Sequence, residues 1–249
     1  MTSYGASKYI QAQLMRAVDA ALTTGGTHAV TTCASLRDRH PNLSPDEVRT
    51  LVERRYVATV ASSGAAAGAI AIAPVAAGVG AAVLDAVGFI GLSVRLVLIG
   101  AALAGDPLDD EERLRTLALA ALVGKGAYGV IQEATKRTGT HLGARAAKAV
   151  PLETIRAINK VLGRNFVTRY GTRQGILVLG KALPAGVGAL LGAGGNAALA
   201  AGVIKGAHRF CGPAVQTWDE VMVNLSTTTN TADFRTWGRP DDGPLPAAA

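Results

Sequence analysis

The sequence predicts an all-α fold, a multi-helix bundle with Gly/Ala-rich apolar helical hairpins, and three observations carry that reading. Apolar residues recur at three- to four-residue spacing along most of the chain, the period of a helix with one buried face. No run alternates apolar and polar residues between turn residues in the manner of a half-buried strand. Two long uncharged segments, residues 56–84 and 182–204, are dominated by Ala and Gly, side chains that let helix backbones approach closely.

Composition sets the limits. A chain of 249 residues is long enough for one large domain or two small ones. The reading adopted is a single helical domain over 1–225 and a flexible tail over 226–249, where apolar residues thin out and prolines collect. Aromatics make up 4% of the residues, so the core is built from Ala, Val, Leu and Ile. The formal charge of +7 favours anionic partners. Cys33 and Cys211 are far apart and belong to no C-x-x-C pair, which argues against a disulfide framework or a zinc site. Lys8, Arg16 and Asp19 interrupt the stretch where the apolar core of a secretory signal would lie, so the cytoplasm is the expected compartment.

Each element follows from a local signal. Ile10, Leu14, Val18, Ala21 and Leu22 share a helical face, and Gly25-Gly26 is expected to end that helix. Residues 28 to 39 form a short second helix in this reading, stopped by Pro41. Ser44-Pro45-Asp46-Glu47 places a cap, a first-turn proline and a capping-box glutamate in order. Val48, Leu51, Val52, Tyr56 and Val60 then line one face. Two helices are expected to meet near Pro74, since proline removes a helical donor and clashes with the preceding turn; the second runs to about Ala104. Asp109, Asp110, Glu111 and Glu112 suit the positive end of the next helix, and residues 126 to 150 carry another.

The segment PLETIRAINKVLGRNFVTRYGTRQG follows. Ile155, Ile158, Leu162 and Phe166 form its apolar stripe, while Arg156, Lys160 and Arg164 recur at i, i+4 and i+8 on another face, with Arg169 and Arg173 beyond. Ten basic residues and one acid, Glu153, lie from Lys136 to Lys181. A helix with an apolar stripe and a cationic face can lie on an anionic lipid surface, or simply present its charges to water.

The apolar hairpins admit two readings. Residues 56–84 are as long as a membrane span, about 20 residues. Eight Val, Ile or Leu side chains favour insertion by only about 2–5 kcal/mol, against which glycine, polar residues and Pro74 work. Gly64 and Gly68 form G-x-x-x-G, as do Gly188 and Gly192; this spacing supports close helix contact in lipid and in a soluble core alike. Asn196, amid apolar neighbours, either bonds to a backbone carbonyl or marks a ligand cavity.

The sequence AVGFIGLSVRLVLIGAALAGDPLDDEERLRTLALAAL after the first hairpin, and GKALPAGVGALLGAGGNAALAAGVIKGAHRF later, together resemble the EcsC-type family of bacterial proteins. The resemblance covers about residues 44 to 215 and falls on Pro74, Asp109, Glu111, Pro184, Gly188 and Asn196. It implies association with membrane biology and supplies no catalytic residues.

Motifs that imitate chemistry lack the setting it needs. GKGAYG, Gly124 to Gly129, matches G-x-G-x-x-G, yet a Leu/Ala-rich helix precedes it and no acidic residue lies about twenty positions on. GILVLGKA, Gly175 to Ala182, nearly matches a P-loop but has Ala182 in place of the Mg²⁺-binding hydroxyl. His28, His40, His141 and His208 share no ligand spacing, and no serine sits in G-x-S-x-G. The cations have no aromatic platform among them, so nucleic acid is not an expected partner.

The expectation is therefore a non-enzymatic accessory or binding protein without a cofactor. It would lie at the inner face of a membrane, attached to the anionic surface or to a membrane protein. The alternative is a soluble helical protein that holds a lipid or other apolar ligand.

Overall fold

The computed structural model describes residues 3–70, 75–136, 150–180 and 187–228. Among them the chain forms eight helices and no strand: α1 (Ser3–Arg39), α2 (Pro45–Ile70), α3 (Val75–Leu103), α4 (Glu111–Val123), α5 (Lys125–Lys136), α6 (Leu152–Gly180), α7 (Val187–Cys211) and α8 (Trp218–Thr228). The all-α multi-helix bundle is as expected.

Helix α1 corrects the first expectation. Gly25-Gly26 does not end it; α1 runs unbroken to Arg39. These glycines are contact points. A Cβ on Gly25 would collide with Leu98 Cδ1, and one on Gly26 would lie 3.2 Å from the Leu108 carbonyl oxygen. The lost helix propensity, about 1 kcal/mol per glycine relative to Ala, is offset by letting α1 lie close against α3, with which it shares one of the two largest interfaces of the bundle.

The capping box of α2 forms as the sequence indicates. The Ser44 backbone N–H donates to Glu47 Oε2 (2.8 Å), and the Glu47 N–H reaches back toward Ser44 Oγ at 3.4 Å. The Ser44 N–H, and after it the Ser44 hydroxyl, which donates to the same Oε2 at 2.9 Å, hold the Glu47 carboxyl below the usual carboxylate range. Val48, Tyr56 and Val60 are buried. Tyr56 adds a polar tie to α3: Ser93 Oγ donates to the Phe89 carbonyl (2.6 Å), so the Tyr56 hydroxyl, 2.7 Å away, donates to Ser93.

Helix α3 is the central element, in contact with α1, α2, α4 and α7. Ile90, Val94, Val97, Leu98, Ala101, Ala102 and Leu103 have no exposed surface. At roughly 1.5–3 kcal/mol for each fully buried large aliphatic side chain, this helix is a main source of hydrophobic stabilisation. Residues 86–103 are also long and apolar enough to cross a membrane, but 72% of that window is buried inside the protein. Its end is a Schellman motif: the Asp106 N–H donates to Ala101 O (2.9 Å) and the Gly105 N–H to Ala102 O (3.0 Å), with Gly105 at φ 77°.

Helix α4 starts at Asp110, whose side chain accepts from the Arg113 N–H at 3.1 Å. Gly124 closes it at φ 69°, and α5 follows at once. The GKGAYG stretch is thus a helix break with a helix on either side, without the strand that dinucleotide binding requires. The helix expected over 126–150 is described as α5 to Lys136 and lies outside the described residues beyond it. GILVLG is part of α6. Helix α8, which the sequence reading did not single out, is fixed by Trp218, whose indole N–H donates to the Leu43 carbonyl (2.8 Å). The proposed tail begins three residues inside α8; residues 229–249 are not described.

Candidate functional site

The apolar stripe of α6 is buried as expected: Ile155 and Ile158 are 2% exposed, Leu162 and Phe166 not at all. Burying that stripe leaves Arg156, Lys160 and Arg164 exposed on a single line. The three side chains therefore meet at one place, the wall of an open groove of about 810 Å³ between α1, α4 and α6.

Two ties between α4 and α6 set that wall. Arg113 donates to the Val150 carbonyl (3.2 Å) just before α6 begins. Further along, Asn159 is 92% buried and fully engaged. Its amide nitrogen donates to the Glu112 carbonyl and to Glu112 Oε2, both at 2.8 Å, and its Oδ1 accepts from the Thr116 hydroxyl at 2.8 Å. Buried polar groups of this kind lock one arrangement, because any slippage leaves several unsatisfied. The rotation of α6 about its axis, and with it the direction of its cations, is fixed at Asn159.

The groove has a polar rim and an apolar floor. Arg115 of α4 supplies a fourth cation; it is ion-paired to Asp19 of α1 at 2.8 Å and lies 3.8 Å from Glu111. Arg156 stands 3.9 Å from Glu112, the groove's one carboxylate, and is 61% exposed. An exposed pair such as Arg156–Glu112 contributes about 0–1 kcal/mol, so Arg156 remains available to a competing anion, whereas Arg115 is half-buried in its pair with Asp19. Lys160 and Arg164 have no ion-pair or hydrogen-bond partner among the described residues. Ala12, Met15 and Val167 supply the apolar surface. At Gly163 an added Cβ would meet only Met15 Cε, at 3.8 Å, so the groove reaches the α6 backbone.

Other expected site residues fall elsewhere. Arg169 and Arg173 continue α6, but their side chains lie outside the described residues. The same holds for Gly64 and Gly68 in α2, and for Gly188, Gly192 and Asn196 in α7; Pro74 and Pro184 are outside them entirely. Among the described residues, a close helix contact is made at Gly206 of α7. Asn159 and Arg115 carry no signal of this role in the sequence, and Glu112 reads there only as part of a helix start. No group of His, Cys, Asp or Glu suited to a metal ion occurs among the described residues. Burial pushes the thiols of Cys33 and Cys211 up to about 12, far from the range of a reactive nucleophile.

Comparison of the chain with protein-family models, with curated proteins and with solved structures finds no match.

Proposed function

We propose that this is a non-enzymatic, peripheral membrane-binding protein of EcsC type, acting at the cytoplasmic inner face of a membrane as an accessory or binding protein. The observation that carries the reading is the shared exposure of Arg156, Lys160 and Arg164 on one line of α6, two of them without partners among the described residues. Each such cation near an anionic leaflet contributes about 1 kcal/mol. Three together give a preference for anionic over neutral lipid on the order of a hundredfold. The burial of α3 supports attachment from the surface, since its apolar side is used by neighbouring helices.

Co-sedimentation with vesicles tests this. The protein should pellet with phosphatidylglycerol vesicles at low ionic strength, be released by high salt, and stay in solution with phosphatidylcholine. The triple substitution Arg156→Glu, Lys160→Glu and Arg164→Glu should abolish pelleting. Equal recovery of the triple variant and the parent on acidic vesicles would refute the reading.

A further inference from the structure

We infer that the groove between α1, α4 and α6 is a stoichiometric site for one phosphate-headed amphiphile, a lipid phosphate monoester whose chain lies along the apolar floor. This rests on the reading of the α6 cations as a lipid-facing surface and adds a discrete pocket to it.

Three features separate a pocket from a merely charged face. The first is convergence. Lys160 and Arg164 lie one turn apart, about 5–6 Å between Cβ atoms, without partners among the described residues. That spacing lets both side chains bind one phosphate group. A phosphate monoester carries about −1.5 to −2 charges at pH 7 and three acceptor oxygens, enough for an arginine fork and an ammonium together. Arg156 stands at the same groove in an exposed, 3.9 Å pair from which an incoming dianion can draw it, and the half-buried Arg115 adds positive charge to the groove wall.

The second is the pairing of surfaces. A site for a soluble phosphate ester has no use for Ala12, Met15 and Val167 beside the cations, whereas an acyl or isoprenoid chain has. The third is size and rigidity. About 810 Å³ lies within the range of small-molecule sites, about 300–1,000 Å³. Its cationic wall is held by the buried Asn159–Glu112–Thr116 bonds, so it is formed before a ligand arrives.

Isothermal titration of the full chain with dioctanoyl phosphatidic acid, below its micelle concentration, should give saturable binding with one site per chain. Glycerol 3-phosphate should bind at least about tenfold more weakly, because it offers nothing to the floor, and dioctanoyl phosphatidylcholine should not bind. Lys160→Ala with Arg164→Ala should weaken binding about tenfold or more. Gly163→Leu, which projects a side chain into the groove, should block it while leaving the far-ultraviolet circular dichroism unchanged. Because Gly163→Leu can disturb packing, the exposed double variant is the deciding one. Unchanged affinity in it, equal affinity for glycerol 3-phosphate, or binding without saturation would each overturn the inference.

The two proposals fail separately. Pelleting on phosphatidylglycerol vesicles without a saturable phosphatidic acid site leaves the surface reading standing and removes the pocket. Saturable binding of the short-chain lipid without vesicle pelleting leaves the pocket and removes surface attachment.

Discussion

Gly206 of α7 lies directly against the backbone of Ala121 in α4: a Cβ on Gly206 would stand 2.5 Å from the Ala121 carbonyl oxygen and 2.7 Å from its Cα. Backbone atoms cannot swing aside as a side-chain tip can, so substitution must push the two helices apart. Gly206→Ala should therefore destabilise the protein by about 1–3 kcal/mol, the usual cost of overpacking. One turn away, Gly202 is exposed with nothing within 4 Å of its Cβ position. Gly202→Ala should stabilise by about 0.5–1 kcal/mol through helix propensity. Urea unfolding of both variants checks the pair, and a shift of the same sign in both would contradict the close contact.

Removal of the Asn159 amide should cost more than its modest size suggests. Asn159→Leu takes the α6 donor from both the Glu112 carbonyl and Glu112 Oε2, while the Thr116 hydroxyl keeps only the Glu112 carbonyl, 3.0 Å away, as its acceptor. Each buried group left unsatisfied costs about 1–3 kcal/mol. A double-mutant cycle with Thr116→Val should return a coupling of about 0.5–3 kcal/mol. Additive single effects would mean that the network does not act as a unit.

Both cysteines should be silent in the native protein. Cys33 is shifted upward by burial; at Cys211 burial and the Asp106 carboxylate raise the thiol and Arg49 opposes them. With values of about 12, almost no thiolate forms near neutral pH. A thiol reagent should label neither at pH 8 on the timescale on which it labels both in denaturant. Rapid reaction of one thiol in the folded state would show that its helix opens.

Acid should weaken the fold through His28. Desolvation, and then the Arg95 charge, lower its pKa below the ordinary 6.5. The unfolded chain thus takes up a proton at a pH where the folded chain does not. The sign follows: this contribution is present above pH 6.5 and is lost as pH falls through the folded value. His28→Gln should flatten the fall in melting temperature as the pH drops below about 6.5. An identical pH profile in the variant would assign the acid loss elsewhere.

Local signals were legible in the sequence and long-range ones were not. Ser44–Glu47, Asp110 and the stripe of Ile155, Ile158, Leu162 and Phe166 act within one or two helical turns, so their spacing alone conveys what they do. Gly25-Gly26 misled for the opposite reason. A glycine pair normally marks a helix end, and here it records contact with Leu98 and Leu108, more than seventy residues away. Asn159 sits between Ile158 and Lys160 and looks like an ordinary solvent-facing residue; its partners Glu112 and Thr116 belong to another helix. The cations of α6 could be found by their i, i+4 spacing. That Arg115 joins them across a groove depends on how α4 packs, which no periodicity records.

The order of the helices along the chain has a consequence for synthesis. α3 emerges from the ribosome long before α7, the helix that covers part of its greasy side. Until Val187–Cys211 has been made, the nascent chain lacks one of the partners that bury a segment, residues 86–103, long and apolar enough to span a membrane. Early docking of α1 and α2, the helices made before α3, is what can cover part of that apolar surface while the rest of the chain is still being synthesised.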